Sequence, residues 1–565
     1  MLRVAPIENR SWGAGRRTMA EIRFDNETVP AVLGDSLLEH AERTRAAYKQ
    51  VATSCDGIGT CGECVVSVVA GAESLNPPTL EEDAIAGLED EVHGGLYRLA
   101  CQAKVIDDKR DIEVATFQRS LKILTATASR EELPLAPRVR REGDRVVIGE
   151  TTIETTGGGL YGLAVDVGTT SVVADLVDLA CGETRHTVAF ENPQRFGGSN
   201  VVNRIAYDRD HRGLLQRVLV AHMNAALDEM PCRGDEIYEV VVAGNPTMRD
   251  LLFGLDVQPL GLSPFLSVTE TEYRSGEQDS TALDCRAGRL GLAVNPAARV
   301  YGLPLVACHV GADAAAGLVV SQMWKSDEPV LFMDIGTNTE ILLGNRHRIL
   351  AASSPAGPAF EGAGVSFGMP GMTGAIDSVR FDHETLRWTT IGDANPRGIC
   401  GSGLVDLLGE LARTGRINKM GRFVDGTHEL AVAPEHGIAF SERDIAEIAQ
   451  AKGSNFAAQM ILMKLFGIGP GDIGKLYLAG GFAEYLDVAQ ASRIGLVAPV
   501  DEERVVKLGN ASLQGARNLL CNEALRTELE EYTPRIEHVR LELDPDFFDL
   551  FVGGMGFQVD PPEQT

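Results

Sequence analysis

The sequence predicts a multidomain protein that combines α+β and α/β modules: a small cysteine-bearing module, a connector, and a large module with two copies of one α/β unit. Four of the ten cysteines lie within the first 101 residues, three of them in one short stretch. A turn of the form Asp-x-Gly-Thr between apolar, β-rich runs occurs at Asp166 and again at Asp334, 168 residues later. Between these regions lie prolines, a basic patch and three consecutive glycines. At about 100–200 residues per domain, a chain of 565 residues has room for three to five structural units.

The composition is that of a soluble globular protein, and it restricts the partners. Hydrophobic residues make up 44% of the chain and charged residues 23%. The formal net charge of −28 repels phosphate backbones, so nucleic-acid binding is not expected. The acidity serves either solubility or a docking surface for a redox partner. No run of about 18 apolar residues occurs, so no membrane span is expected.

The first 18 residues contain four arginines but lack the apolar stretch of a secretory signal. Met19 begins a more natural start, and a loose or misassigned N-terminus is favoured over a transit peptide. The six cysteines beyond Cys101 are scattered singly, which is not the pattern of a disulfide framework. We therefore expect a cytoplasmic protein.

The cysteines of the first module, residues 20–117, are spaced to hold an iron–sulfur cluster. Cys55, Cys61 and Cys64 follow the pattern C-x5-C-x2-C, and Cys101 comes after a further 36 residues. Thiolates that converge on two irons need three ligands from one tight loop, and glycines let such a loop curl and turn amide N–H groups toward the sulfurs. A zinc site favours two C-x2-C pairs, and a redox C-x-x-C motif leaves Cys55 and Cys101 unexplained. The spacing therefore indicates a [2Fe–2S] cluster.

Around these cysteines we expect two short strands between residues 21 and 33, a helix capped by Asp35 or Ser36, and a strand directly after Cys64. The stretch between Cys64 and Cys101 is acidic and helix-like, and it is either a docking face for a basic partner or a solvated helix face. The module resembles the [2Fe–2S] ferredoxins with a β-grasp fold. Its five residues between the first two cysteines, where the plant pattern has four, are more similar to the adrenodoxin and bacterial oxygenase-partner type.

Residues 118–159 are predicted to be a linker rather than a core domain. They contain Pro134 and Pro137, a basic patch at residues 138–141, and the glycines 157–159. A short hairpin is expected around residues 145–148.

The large module is expected to have its first half at residues 160–328 and its second half at residues 329–558. Each half opens with a strand, a tight turn and a second strand. In such a hairpin, backbone N–H groups and threonine hydroxyls can face phosphates, and the aspartate can hold Mg²⁺ directly or through water. The hairpin residues assigned to nucleotide binding are Asp166, Gly168, Thr169, Thr170, Asp334, Gly336, Thr337 and Asn338. Two copies indicate a duplicated fold that clamps the phosphates between its halves.

A third motif, residues 476–485, is a strand that runs into Gly480 and Gly481 and then into a helix. Glycines there let a base or ribose approach the backbone closely. The three motifs, in this order, resemble the acetate and sugar kinase, Hsp70 and actin (ASKHA) superfamily, whose duplicated fold is ribonuclease H-like. The resemblance covers about residues 160–520, identifies residues 478–482 with the adenosine motif, and implies ATP and Mg²⁺ as ligands.

Asp313 follows Gly311 at the start of an alanine-rich helix and has two interpretations. As an N-cap, its carboxylate accepts a backbone N–H, and this interpretation is favoured. As a catalytic carboxylate near the γ-phosphate, it orients a water or the metal.

A ferredoxin module fused to this ATPase fold resembles the reductive activators of corrinoid-dependent methyltransferases, and so do the segments 243–248, 357–362 and 364–371. The resemblance implies an ATP-dependent enzyme in which an electron from the [2Fe–2S] cluster reduces cob(II)alamin to cob(I)alamin on a corrinoid protein or cobalamin-dependent methyltransferase. It also implies an upstream electron donor, such as a ferredoxin, a flavodoxin or a reductase, and it is compatible with a homodimer. Two alternatives stay open: an ATP-coupled electron donor to another low-potential enzyme, and a redox-sensing ATPase that binds a client protein.

The C-terminus departs from some members of that family, which carry C-x2-C-x2-C-x3-C motifs there. Here only Cys521 lies near the end of the chain. The acidic and aromatic segment 543–551 is expected to pack on the fold rather than to meet a partner.

Overall fold

The computed structural model describes residues 20–25, 27–44, 51, 55, 57–90, 94–117, 134–154, 158–307, 309–481 and 483–558. Residues 1–18, residues 118–133 of the predicted linker, and Phe482 of the adenosine motif lie outside the described residues. The chain forms two compact units that divide after Phe117. Within the described residues, no helix has the length and apolar character needed to cross a membrane.

The described residues of the first unit form a five-stranded sheet and one short helix. Its elements are β1 (Glu21–Phe24), β2 (Glu27–Pro30), α1 (Leu37–Glu42), β3 (Val65–Ala70), β4 (Leu96–Leu99) and β5 (Ile112–Ala115). The strand order is β2-β1-β5-β3-β4, with β1 parallel to β5 and the other neighbours antiparallel. Ile22 and Phe24 are buried at alternate positions of β1, as the two-residue period of a strand requires. This mixed sheet confirms the predicted β-grasp fold.

Helix α1 is fixed at its start by Ser36, one of the two predicted caps. The Ser36 hydroxyl accepts the Glu39 N–H at 3.2 Å, while the Glu39 carboxylate accepts the Ser36 N–H at 2.6 Å. This capping box satisfies two donors that the first helical turn leaves without partners. The Leu38 N–H donates to the Ala100 carbonyl at 2.9 Å, so the helix is held beside Cys101.

The acidic stretch between Cys64 and Cys101 is not a helix, contrary to the expectation from sequence. Its described residues form β3, two 3₁₀ turns at Ala72–Ser74 and Leu80–Glu82, and β4. Pro77 and Pro78 interrupt the stretch, and each removes a backbone N–H that a continuing helix needs.

One acid of this stretch is a buried structural group. The Glu82 side chain is inaccessible to solvent and accepts Arg98 Nε at 2.7 Å and Nη2 at 2.9 Å. It also accepts the Leu99 N–H at 2.9 Å. Glu82 therefore ties its 3₁₀ turn to β4, the strand that leads into Cys101.

The second unit begins with a small antiparallel sheet formed by the described part of the predicted linker. Its strands, in the order β6-β7-β8, are β6 (Val139–Glu142), β7 (Arg145–Ile148) and β8 (Thr151–Glu154). Val139, Val146 and Ile148 are buried in a core that they share with the first half of the large module. The segment that was expected to form a hairpin is thus the central strand of a packed three-stranded sheet.

The rest of the described part of the second unit contains two six-stranded sheets, a three-stranded sheet, a two-stranded sheet and their helices. The first half contains β9 (Tyr161–Val167), β10 (Ser171–Asp178), β11 (Glu183–Glu191), α2 (Val201–Asp210), α3 (Leu214–Leu227), β12 (Ile237–Gly244), α4 (Pro246–Phe253), α5 (Val268–Ser275), β13 (Leu283–Arg286), α6 (Ala287–Leu290), β14 (Arg299–Gly302) and α7 (Ala312–Ser321). The second half opens with β15 (Val330–Ile335), β16 (Thr339–Asn345), β17 (Arg348–Ser354), β18 (Ala375–Asp382), β19 (Thr385–Thr390), β20 (Gly398–Ile399), α8 (Gly401–Arg413), β21 (Glu429–Ala433), β22 (Ile438–Ser441) and α9 (Glu442–Phe466). It ends with β23 (Lys475–Ala479), α10 (Val488–Arg493), β24 (Val505–Gly509), α11 (Ala511–Cys521), α12 (Ala524–Tyr532), β25 (Glu537–His538) and α13 (Phe547–Met555).

The two large sheets repeat one topology. Their orders are β11-β10-β9-β12-β14-β13 and β24-β23-β15-β16-β17-β25. In each sheet the first three strands form an antiparallel meander, and two later strands add in parallel beside the first strand. This arrangement confirms the duplicated, ribonuclease H-like unit that the repeated hairpins predict.

Two helices link the halves by crossing between them. Helix α7 leaves the first half and packs on β15 and β16 as well as on β12, whereas α11 follows β24 and packs on β9, β10 and β12 of the first half. The helices cross in close contact, because a Cβ on Gly515 would lie 2.5 Å from the Ala316 carbonyl oxygen. Only glycine allows two helix backbones to approach this closely.

The C-terminal helix α13 packs on α9, as was expected for the acidic and aromatic segment before it. Lys464 pairs with Asp544 and Asp546, the latter at 2.6 Å. The buried Lys452 donates through Nζ to the carbonyls of Gly554 and Gly556, each at 2.6 Å. Two carbonyls at the end of α13 are thereby given a hydrogen-bond donor.

We expect Glu82→Ala to lower the free energy of unfolding of the first unit by about 3–5 kcal/mol, because Arg98 would stay buried without its carboxylate. Urea unfolding of the full chain, followed by circular dichroism and cluster absorbance, measures this loss. The control is Glu73→Ala, which removes only an exposed pair with Arg110 and should leave the unfolding midpoint unchanged. Equal losses in both variants would contradict the role assigned to the buried pair.

Candidate functional site

The four cysteines of the first unit lie together as two pairs. Cys55 Sγ and Cys61 Sγ are 3.3 Å apart, and the thiols of Cys64 and Cys101 are hydrogen-bonded to each other. A Cβ on Gly57 would lie 3.8 Å from the Cys101 Cβ, so the Cys55–Cys61 loop rests against the second pair. Cys64 and Cys101 are buried, and Cys55 and Cys61 are half-exposed.

Hydrogen-bond donors surround these sulfurs. The Glu63 N–H donates to Cys61 Sγ at 3.4 Å, and Gln102 Nε2 donates to Cys101 Sγ at 3.4 Å and to the Gly57 carbonyl at 3.2 Å. Burial opposes ionisation of Cys55, yet hydrogen bonds from Cys61 and from the backbone of residues 59 and 60 lower its pKa to about 6. The loop can expose these amides because three of its glycines, at positions 57, 59 and 62, have φ near +80°. Two thiol pairs with amide donors fit a two-iron cluster.

The first phosphate hairpin joins β9 to β10 in the second unit. Asp166 lies near the end of β9, and the turn is closed by the Gly168 N–H, which donates to the Ser171 carbonyl at 3.0 Å. Thr169 is held twice, because its hydroxyl accepts Asn245 Nδ2 at 3.0 Å and its carbonyl accepts Arg204 Nη2 at 2.6 Å. Thr170 is exposed, as is expected of a side chain that meets a ligand.

The second hairpin joins β15 to β16 and is held by different groups. Asp334 lies opposite Glu340 of β16 and beside Ala479 of β23. The Thr337 hydroxyl donates to Glu361 Oε1 at 2.8 Å, and its carbonyl accepts the Gly357 N–H at 2.8 Å. Gly336 lies within this turn, and Asn338 is exposed.

The third motif occupies the end of β23, beside the second hairpin. Gly480 has φ +113°, and a Cβ there would overlap with the carbonyl oxygen of Ile335. Gly244, at the end of the equivalent strand β12, has φ +152°, and a Cβ there would lie 2.6 Å from the Val167 carbonyl oxygen. Gly481 is exposed, with open space around its Cα. In each half, the strand that adds in parallel beside the hairpin, β12 or β23, thus ends at a glycine that the neighbouring hairpin requires.

Carboxyl groups from both halves meet at this site. Burial, opposed by a hydrogen bond from Asn510 and supported by the charge of Asp313, raises the pKa of Asp166 to about 7. Burial and the charges of Asp313 and Asp166 raise the pKa of Asp334 to about 8. Burial and the charges of Asp313 and Asp334 raise the pKa of Glu340. Each aspartate keeps part of its surface accessible to solvent.

Asp313 is not the N-cap, so that interpretation is wrong. Helix α7 begins at Ala312, its N-cap is Gly311, and Asp313 is the second helical residue. Gly311 takes the extended cap position beside Asn245, where a Cβ would lie 2.9 Å from the Asn245 Cα. The Asp313 carboxylate accepts the Ala314 N–H at 2.8 Å. Burial, opposed by such backbone hydrogen bonds, raises its pKa to about 6.

Sequence reasoning missed several residues that build this site. Asn510 donates through Nδ2 to Asp166 Oδ2 at 2.8 Å across 344 positions of sequence. Arg204 is almost wholly buried and holds Thr169 from α2. Asn245 and Glu361 lie within segments that were noted for their family resemblance only. A comparison of Ala243-Gly244-Asn245 with Ala479-Gly480-Gly481, the same turn in the two halves, would have indicated Asn245.

Three family models match the chain in succession. A 2Fe-2S iron-sulfur cluster binding domain matches residues 22–105, the RACo middle region matches residues 161–326, and the C-terminal domain of RACo, the ASKHA domain, matches residues 328–563.

Similar proteins cover most of the chain. The corrinoid activation enzyme RamQ of Eubacterium limosum is 31% identical over 425 residues, which is 70% of each chain. The Co(II) methylated amine-specific corrinoid protein reductase of Methanosarcina barkeri is 26% identical over 434 residues, 70% of this chain and 76% of that protein. The solved structure of a reductive activator for corrinoid, iron–sulfur protein has a TM-score of 0.67 and 26% identity, and the match covers 96% of this chain and 98% of that one.

A [2Fe–2S] ferredoxin-type domain joined to an ASKHA domain defines the class of protein: an iron–sulfur reductive enzyme with an ATPase-like module. Within this class, the chain belongs to the RACo family of reductive activators of corrinoid proteins. The resemblance noted from the sequence motifs is thereby confirmed.

We expect Gly480→Ala to lower the melting temperature of the second unit, because its Cβ would overlap with the Ile335 carbonyl and its φ of +113° suits only glycine. A loss of about 1–3 kcal/mol corresponds to one strained residue. Differential scanning calorimetry of the full chain measures it. Gly481→Ala is the matched control, since its Cβ meets nothing within 4 Å and the melting temperature should not change. Equal destabilisation by both changes would contradict the packing described for Gly480.

Proposed function

We propose that this protein uses MgATP to drive an electron from a [2Fe–2S] cluster to the cob(II)alamin of a corrinoid protein, which becomes cob(I)alamin. The observation that carries the proposal is the presence, in one chain of the RACo family, of two paired thiol sites and of a carboxyl cluster flanked by two phosphate hairpins. Two proteins similar in sequence are named for corrinoid activation and for corrinoid protein reduction.

Cys55, Cys61, Cys64 and Cys101 would hold the cluster, one pair of thiolates for each iron. The cluster supplies a one-electron carrier. The hydrogen bonds that Glu63 N–H and Gln102 Nε2 donate to the sulfurs stabilise negative charge there and help to set the reduction potential.

MgATP would bind between the halves. The amides and hydroxyls of Thr169 and Thr170, in the turn that Gly168 closes, would face the phosphates from one side, and the amides of Gly336, Thr337 and Asn338 would face them from the other. Asp166 and Asp334 would hold Mg²⁺ directly or through water, and the metal would neutralise carboxylates that repel one another in the empty site. Gly480 and Gly481 would lie against the adenosine, with open space above Gly481.

Asp313 would act on the γ-phosphate side of this site. It is close enough to Asp166 and Asp334 for its charge to raise the pKa of both, and its own pKa of about 6 leaves it mostly ionised at neutral pH. A carboxylate in this state can orient the attacking water or a metal-bound water.

Reduction of cob(II)alamin is uphill for an ordinary ferredoxin, so the nucleotide must bias an equilibrium. It can do so only through different affinities for two states of the protein. A shift of about 5.5 kcal/mol moves a population from 1:99 to 99:1, which is of the order that one ATP turnover supplies. A ferredoxin, a flavodoxin or a reductase would recharge the cluster. The nine described cysteines are free thiols, in keeping with a reducing compartment such as the cytoplasm.

The test of the proposed function is direct. The purified protein, reduced anaerobically, is mixed with a purified cob(II)alamin-bearing corrinoid protein, with and without MgATP, and the cobalamin spectrum is followed. Cob(I)alamin should form rapidly only with MgATP. The control is a set of corrinoid proteins that reference activators reduce. If this protein hydrolyses ATP but reduces none of them, the proposal is contradicted.

We expect Asp334→Asn to reduce ATP-dependent formation of cob(I)alamin by about 100-fold or more, because the variant loses a carboxylate that would hold Mg²⁺. Its cluster should still be reducible, since the cysteines belong to the other compact unit. The reciprocal control, Cys61→Ser, should lose the visible cluster spectrum and keep its affinity for MgATP. Undiminished activation by Asp334→Asn would sink the assignment of the second hairpin.

We also expect MgATP to bind more weakly at pH 6 than at pH 8. Burial raises the pKa of Asp166 to about 7 and that of Asp334 to about 8, so both must lose protons before they can hold the metal. Between the ordinary aspartate value of 3.8 and about 8, the folded empty protein binds more protons than the unfolded chain, so its stability falls as the pH rises. Calorimetric titration at both pH values measures the affinity. A pH-independent affinity, or one equally steep in Asp334→Asn, would contradict this ionisation.

A further inference from the structure

Helix α11 begins inside the nucleotide site. The side chain of Asn510 caps it, because Oδ1 accepts the Leu513 N–H at 2.8 Å, and the same amide donates through Nδ2 to Asp166 Oδ2 at 2.8 Å. Asparagine can do both at once, since it carries an acceptor and two donors, whereas an aspartate could only accept. The start of the helix is therefore fixed to the carboxyl group that is assigned to Mg²⁺.

The other end of α11 holds the start of the connector, residues 134–154. The Ala136 N–H donates to the Cys521 carbonyl at 2.8 Å, and the Glu523 N–H donates to the Ala136 carbonyl at 3.0 Å. The Asn522 side chain adds a bond from Nδ2 to the Pro134 carbonyl at 3.1 Å.

Arg138 strengthens the same junction from the connector side. Its guanidinium lies 3.6 Å from Glu523, 3.0 Å from Asp284 and 3.9 Å from Glu239. Glu239 is fully buried in β12 and also pairs with Arg526 of α12 at 2.8 Å. The connector is thus bound to the end of α11 and to the first half by both backbone and charged groups.

Between these two ends, α11 is held by close packing along its length. Its 11 residues span about 15 Å. Gly515 lies against the backbone of α7, the helix that carries Asp313. Arg517 reaches Asp175 of β10 at 3.6 Å, and Leu520 packs against Gly162 of β9. A movement of its first turn is therefore carried to its last turn rather than absorbed by bending.

We propose that α11 couples the nucleotide site to the connector, with Asn510 as the positioning residue that senses occupancy. When MgATP draws the Asp166 carboxylate to the metal, the hydrogen bond from Asn510 either breaks or pulls Asn510 along with the carboxylate. In both cases the start of α11 moves, and the helix shifts along its axis. The shift changes the junction of Cys521, Asn522 and Glu523 with Ala136. From Pro134 the chain continues through residues 118–133 to Phe117, the last residue of the cluster-bearing unit. This inference rests on the proposed binding of MgATP and adds the route by which it reaches the connector.

The test is hydrogen–deuterium exchange of the full chain with its cluster, read by mass spectrometry with and without Mg²⁺ and adenylyl imidodiphosphate. In the wild type, the nucleotide should slow exchange at residues 161–176 and also change exchange at residues 134–148 by about threefold or more. Unaltered exchange at residues 134–148, with the hairpin protected, would overturn the proposal.

Variants separate coupling from a merely structural junction. Asn522→Asp keeps the acceptor that the Ala524 N–H uses at 3.1 Å but loses the bond to Pro134, and Arg138→Ala removes the charged contacts. Together they reduce the junction to its two backbone hydrogen bonds, so they should weaken the response at residues 134–148 and preserve protection of the hairpin. Arg140→Ala is the matched control, because among the described residues Arg140 pairs with the exposed Glu142 at 2.8 Å and with no group of α11, and it should respond as the wild type does.

A full wild-type response in the double variant would overturn the proposal. If the double variant lost protection of the hairpin, the test would be made with the single variant Asn522→Asp instead. The exchange measurement needs no corrinoid protein, so a failure to reduce cob(II)alamin and a failure of the coupling are observed separately. In the cobalamin assay, the uncoupled variant should hydrolyse ATP while the ratio of ATP-dependent to ATP-independent reduction falls toward one.

Discussion

The stability of the second unit depends on the carboxyl groups that lie close together between its two halves. Asp166 and Asp334 come from equivalent strands, and Asp313 and Glu340 add to the same region. Each group loses hydration on burial and repels the others when it is ionised, so burial and mutual charge raise the pKa of the two hairpin aspartates and of Glu340. Such a cluster is stable when it is protonated or when a cation neutralises it. The empty and occupied states therefore differ in charge, and each half contributes to the difference.

The crossing helices explain why this charge affects both halves together. Because α7 and α11 each pack on the sheet of the opposite half, a rotation of either half also moves the helix that comes from the other half. That helix is α7, which carries Asp313, or α11, which Asn510 caps. The close contact of Gly515 with Ala316 brings the two helix backbones together, so a displacement of one helix acts on the other. Packed interfaces of this kind favour discrete arrangements over gradual deformation. A ligand that prefers one arrangement can then shift the whole unit.

The parts of this fold that the sequence could predict are those encoded in local patterns. Cysteine spacing identified the first module, and the repeated Asp-x-Gly-Thr turns identified the duplication. The acidic stretch has a helix-like composition, but Pro77 and Pro78 remove backbone N–H groups that a helix needs, so the predicted helix is wrong. The predicted cap at Asp313 is wrong because sequence patterns place a helix start only to within a residue or two. Asn510 could not be found at all, since its partner lies 344 positions away and an N-cap asparagine has an ordinary local explanation.

The two crossing helices also bring chemically different groups to the site, so its two sides are not equivalent. The start of α11 brings Asn510, a neutral amide that can hold the Asp166 carboxyl by donating to it but cannot accept a proton at neutral pH. The start of α7 brings Asp313, whose pKa of about 6 allows it to accept one. In the proposed ATPase, Asp313 on the α7 side would therefore serve proton transfer, whereas Asn510 on the α11 side would respond to the metal and to the charge of the nucleotide. The proposed chemistry of ATP and the proposed response to ATP would then belong to separate helices, which touch at Ala316 and Gly515.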